Sequence, residues 1–157
     1  MSLVELLTAV AIVGILAGTS IHVSRAPLAH QRLLAAARQL ELGIEQGRDQ
    51  AMDQQSPCAL ALGDAGWIAP EGGALPACTH AVGQLLAGDR GAGLQLSHNI
   101  TELQFTTNGL VLGGGTVRLA VDGLTQERCV VISLPLGITR QGLWSEGQCL
   151  PSENAHS

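Results

Sequence analysis

The chain has 157 residues, a formal net charge of −5 and eight basic residues, all of them arginine. That length fits one domain. An acidic chain without clustered cations argues against general affinity for nucleic acid and against a polybasic grip on anionic lipid. With one Phe, two Trp and no Tyr, any core must be built from Leu, Val, Ile and Ala.

The N-terminal stretch comes first. From Leu6 to Ser24 there is no Asp, Glu, Lys or Arg, a run of 19 residues. As a helix it spans a hydrocarbon core of about 30 Å. A secretory signal would place basic residues before a shorter apolar run. Here Glu5 comes before the run and Arg25 after it, so the segment reads as a retained anchor. Arg25 alone would turn the N-terminus outward by the positive-inside rule. Dragging the Glu5 carboxylate toward the lipid centre would cost about 2.5–3.5 kcal/mol, so a partner is expected. One reading has it at the interface, favoured by the positive end of a helix. The sharper one pairs it with the α-amino group of a neighbouring copy, which is positive at neutral pH.

Residues Ser2-Leu3-Val4-Glu5-Leu6-Leu7-Thr8-Ala9-Val10-Ala11-Ile12-Val13-Gly14-Ile15-Leu16-Ala17 resemble the class III signal region of type IV pilins and type II secretion pseudopilins. The resemblance implies a prepilin peptidase that removes a short basic leader on the cytoplasmic side. It also implies N-methylation of the new terminus, which therefore faces the cytoplasm against the hint from Arg25. Glu5 matches the acidic fifth residue of the mature family members. Met1 stands where Phe is usual, and we take it as the mature terminus. Met1 and Glu5 are thus the expected assembly residues.

Gly14 and Gly18 form a GxxxG, a spacing that permits close helix approach. Each also costs about 1 kcal/mol against Ala in a helix interior. Pro27 removes a backbone donor, so helix flexibility is expected between Gly14, Gly18 and Pro27. In related filaments this region resembles a stretch that melts on assembly. From Leu28 to Gln54 an apolar face recurs at Leu33, Ala36 or Ala37, Leu40, Ile44, Gly47 and Ala51. Arg38–Glu41 and Glu45–Arg48 are opposite-charge neighbours on a solvated face. Ser56-Pro57 ends the helix, giving about 50 residues and roughly 75 Å if unbroken.

Beyond Pro57 the texture changes to short apolar runs between turn residues. Cys58–Leu62 and Gly66–Ala69 read as strands, and Pro70 to Pro76 as a loop. Ala81–Ala87 reads as a helical turn. Thr101–Phe105 and Leu110–Leu112 flank Asn108-Gly109, a hairpin signal. Thr116–Val121 and Cys129–Leu134 flank Asp122-Gly123, and Ile138–Leu143 adds a last strand. The expected fold class is α+β, a long N-terminal α-helix packed on a C-terminal antiparallel β-sheet. Its parts are an apolar helix over 1–27, an amphipathic continuation over 28–55 and a disulfide-stabilised head over 56–157. Four cysteines without a CxxC pair, in a small exported chain, favour disulfides over zinc. Three connectivities are open, and the sequence-local one is Cys58–Cys78 with Cys129–Cys149.

A second resemblance is carried by Phe105-Thr106-Thr107-Asn108-Gly109, Gly115-Thr116-Val117-Arg118-Leu119, Arg128-Cys129-Val130-Val131-Ile132-Ser133 and Gly137. These look like the C-terminal half of GspH/FimT-type minor pilins and pseudopilins. In DNA-uptake members, arginines near the last strand support DNA binding. Here Gly137-Ile138-Thr139-Arg140 keeps one arginine and puts Ile138 at another position, which counts against nucleic acid. The resemblance implies a structural subunit of a type IV pilus or type II secretion pseudopilus, polymerising through its N-terminal helix. The alternative is a minor tip pilin that binds DNA or a surface. The expected partners are copies of itself, other pilins, the inner membrane and prepilin peptidase. Its place is the bacterial inner membrane, then an extracellular pilus or a periplasmic pseudopilus. No catalytic set, cofactor or metal is expected. His22, His30, His80, His98 and His156 are scattered with no ligand pair, Ser133 lacks a GxSxG elbow, and Gly113-Gly114-Gly115 lacks the Lys-Ser/Thr of a phosphate loop.

Overall fold

The computed structural model describes residues 10, 12, 25–85 and 93–151. Helix α1 covers Arg25–Asp53. Leu33, Ala36, Ala37, Leu40, Ile44 and Ala51 are all buried on one side of it, as their steps of three and four require. Its C-terminal end is closed by a Schellman pair. Gln55 N–H bonds to the Met52 carbonyl and Ser56 N–H to the Ala51 carbonyl, with Gln55 left-handed at φ 50° in the place glycine usually takes.

The rest of the head is β. Strands β1 (Cys58–Gly63), β2 (Gly66–Ile68), β3 (Gly83–Gln84), β5 (Leu103–Phe105) and β6 (Val111–Leu112) form one sheet in the order β3-β2-β1-β5-β6. Strands β4 (Leu94–His98), β7 (Gly115–Val121), β8 (Arg128–Ser133), β9 (Ile138–Ser145) and β10 (Gln148–Pro151) form the other, in the order β10-β9-β8-β7-β4. The strands within each sheet pair antiparallel. The helix therefore packs on two sheets where one was expected. In β7 the alternation is clean: Val117, Leu119 and Val121 are buried while Arg118 and Ala120 are not. The core is Leu, Val, Ile and Ala with Phe105 and Trp67 added.

Other sequence expectations need correction. The segment from Ala81 does not begin a helix: Gly83–Gln84 pairs with Gly66 and Trp67 as an edge strand. That edge strand is held by backbone bonding, to which its Gly-Gln composition gave no clue. The two helix pairs Arg38–Glu41 and Glu45–Arg48 are replaced by longer reaches. Glu41 accepts a 2.8 Å hydrogen bond from Gln141 on β9, and Arg48 Nη2 donates to the Leu136 carbonyl. Both side chains tie the helix to the sheet instead of to its own next turn.

Candidate assembly surface

The expected assembly residues Met1 and Glu5 lie outside the described residues, as do Gly14 and Gly18. Pro27 is described, exposed and within helical backbone. Among the described residues no helix is long and apolar enough to cross a membrane.

Both disulfides are within the head. Cys58 joins Cys78 with Cα atoms 5.1 Å apart, and Cys129 joins Cys149 at 5.8 Å. The first ties β1 to the segment after Pro76, where Ala59 and Cys78 also exchange a backbone hydrogen bond. The second reaches from β8 to β10 over β9. The row it crosses holds Gly142, opposite Cys129. A Cβ at Gly142 would overlap the Leu150 carbonyl oxygen on β10 and stand 3.0 Å from Cys149 Sγ, so glycine leaves room for both the β10 backbone and the bridge.

The face of the second sheet turned from the helix carries the charge. Arg118 donates from Nε and Nη2 to the two Glu127 carboxylate oxygens, the latter at 2.6 Å. Its guanidinium also lies 5.6 Å from the Trp144 ring centroid. The hydrogen bonds to Glu127 raise the Arg118 pKa above its ordinary value, and the same bonds hold Glu127 below the usual carboxylate range. Arg140 is exposed on this face, one row away and two strands across.

Arg128 behaves differently. Strand parity puts it with Val130 and Ile132 on the helix side. It is 8% exposed, and its Nε and Nη1 are buried with no hydrogen-bond partner. Burial lowers its pKa from the ordinary arginine value. Arg128 opens β8 and Arg140 lies in the neighbouring β9. The structure separates them, one inside the head and one outside.

A shallow cleft is lined by Gln46, Asp49, Gln50, Asp53, Gln54 and His80. Gln50 is committed there to structure, since its Oε1 accepts the His80 backbone N–H at 2.9 Å. Among the described residues no group of three or more His, Cys, Asp or Glu could hold a metal ion. What the surface offers in quantity is apolar. Leu110, Leu112, Leu134, Leu136 and Ile138 are all exposed on adjoining turns. Sequence reading placed these residues in or beside strands and missed that they gather on one surface.

One long helix on antiparallel sheets, preceded in sequence by a charge-free apolar run, is the architecture of a pilin. The solved type IV minor pilin FimU of Pseudomonas aeruginosa (strain PAO1) shares that fold. It matches with a TM-score of 0.50 and 21% identity, over 78% of this chain and 96% of that one. The family model described as type II transport protein GspH matches residues 36–136. The chain belongs to that family. Comparison with curated proteins gave no match.

Proposed function

We propose that this protein is a structural subunit of a type II secretion pseudopilus or type IV pilus that polymerises through its N-terminal helix. The observation that carries the reading is the join between two halves. A GspH-family head with a pilin fold follows directly on an uncharged run of 19 residues with Glu5 at its start. Glu5 meets the methylated Met1 amine of an adjacent subunit, or its own, during assembly. The stretch from Gly14 to Pro27 supplies the local flexibility that packing in a filament requires. Prepilin peptidase processes the chain, and the inner membrane holds it before assembly. Mass spectrometry of sheared, purified filaments tests this: peptides of this chain should be present, and their absence from filaments of cells that express it would end the reading.

The alternative is a tip subunit that captures DNA, and Arg140 with Trp144 on the outward face is the feature in its favour. The charge count opposes it. From Leu28 onward there are seven arginines and twelve acids. Of these arginines Arg128 is buried and Arg118 is held by Glu127. Non-specific binding needs several phosphates neutralised at once, and single-strand binding adds aromatic platforms that this chain scarcely has. A gel-shift titration at about 150 mM salt is expected to show no complex at low micromolar protein. A complex in that range, weakened by Arg140→Ala, would favour DNA capture.

A further inference from the structure

The two disulfides differ in where they stand. Cys58 and Cys78 are 4% and 0% exposed and belong to the hydrophobic core. Cys58 Sγ lies 3.6 Å from the Gly47 carbonyl of α1. The Cys129–Cys149 bridge is on the other side of the second sheet. Strand parity sets Cys129 off from Arg128 and Val130 and onto the outward face, opposite Arg118 of β7. Its partner Cys149 is in β10, which closes one edge of the sheet, so among the described residues no strand lies beyond it there. Only four residues pair β10 to β9. Gln148, Leu150 and Pro151 are exposed, and Cys149 is partly exposed.

That layout decides which sulfur a nucleophile can reach. A thiolate attacks a disulfide sulfur in line with the bond it breaks, and access selects the sulfur. The bridge crosses from β8 to β10 over Gly142. Beyond Cys149 its line leaves the sheet at the open edge. Beyond Cys129 it runs toward β7, where Arg118 stands. The Arg118 side chain is tied there, hydrogen-bonded to Glu127 and close to the ring of Trp144 on β9. Cys129 is 0% exposed behind this group. The sulfur presented to solvent is that of Cys149.

We infer that Cys149 is a thiol-exchange site, at which an external dithiol opens the Cys129–Cys149 bridge while Cys58–Cys78 stays closed. The first thiolate bonds to Cys149 Sγ. The electron pair of the broken S–S bond goes to Cys129 Sγ, which takes up a proton. The second thiol of the reductant, deprotonated, attacks its own sulfur in the mixed disulfide and expels Cys149 as a thiolate, which is protonated in turn. Two electrons thus pass to the bridge, and the dithiol leaves as a disulfide. The opening is local. The contacts of Arg118 join β7, β9 and the start of β8 without β10, so β10 alone loses its tether. β9, the longest strand of the sheet, then becomes its edge, and an unpaired edge is a template for other chains. The bridge is a latch that keeps β9 covered. It concerns the head alone and stands apart from the polymerisation reading.

The test uses the full chain in detergent micelles under native conditions. It is treated with dithiothreitol, trapped at intervals with an alkylating reagent and mapped by peptide mass spectrometry. Cys129 and Cys149 should be labelled roughly tenfold or more faster than Cys58 and Cys78, as their difference in access requires. Equal rates would mean that both bridges open only when the head unfolds, and would overturn the inference. Earlier labelling of Cys58 and Cys78 would do the same. Brief exposure to glutathione, a monothiol, should leave the adduct on Cys149, and an adduct on Cys129 instead would contradict the order of attack. In the opened protein, amide hydrogen exchange should speed up over 148–151 and keep its native rate in α1 and β1. Faster exchange in α1 and β1 would show that the bridge holds the whole head and is no latch.

Discussion

Replacing Gly43 with alanine is expected to lower the thermal midpoint of the head by roughly 10 °C. Alanine normally gains about 1 kcal/mol over glycine inside a helix. Here an added Cβ would overlap the Cδ1 and Nε1 atoms of the Trp67 indole. Trp67 is 2% exposed, so its ring is part of the core. Its Nε1 also donates a 3.0 Å hydrogen bond to the Leu40 carbonyl. Displacing the ring adds an overpacking cost of about 1–3 kcal/mol and strands a buried donor for about 1–3 kcal/mol. The net loss is about 1–5 kcal/mol, which in a chain of this size shifts the midpoint by roughly 2–4 °C per kcal/mol. Gly83→Ala is the control, since nothing lies within 4 Å of that site. It should change stability by less than about 0.5 kcal/mol. A Gly43→Ala head as stable as the native one would show that the ring does not sit as described.

Removing either disulfide is expected to cost about 3 kcal/mol. Each joins cysteines 20 residues apart, and closing a loop of that size restricts the unfolded chain by about this amount. The Cys58–Cys78 pair should matter more, because both residues are core residues at 4% and 0% exposure and a double Ala variant also leaves a void. Loss of Cys129–Cys149 instead releases β10, an edge strand with only β9 beside it. Urea midpoints of the two double variants measure the difference. Peptide mapping without reduction checks the pairing itself. Free thiols, or a midpoint unmoved by reductant, would contradict the expectation.

Much of the head could be read from residue patterns because its signals are local. The apolar face of α1 and its stop at Ser56-Pro57 follow from spacing and backbone restriction. The hairpin around Asp122-Gly123 follows from the turn, with Gly123 at φ 85°. The strands that escaped were the edges. Leu94–His98 does alternate, but it follows a long stretch of Gly, Ala and Pro without clear pattern. Gln148–Pro151 is announced only by Glu146-Gly147, whose φ values of 51° and 78° make the turn back from β9. Gly43 has no signal of its own along the chain, and only the tertiary position of Trp67 gives it a purpose. The same holds for the five exposed leucine and isoleucine residues. Two turns far apart in sequence bring them together, so no window along the chain contains the surface. The burial of Arg128 is not legible along the chain, because one position of strand parity decides between a solvent-facing arginine and a buried one.

The most direct test of the central claim is a comparison of the native chain with Glu5→Leu in cells that assemble filaments, measuring the protein in membranes and in sheared filaments. The change removes a carboxylate at the start of an apolar segment and makes lipid insertion easier. The account predicts normal or raised levels in the membrane and loss of nearly all of the protein from filaments. Incorporation of Glu5→Leu at the native level would contradict it.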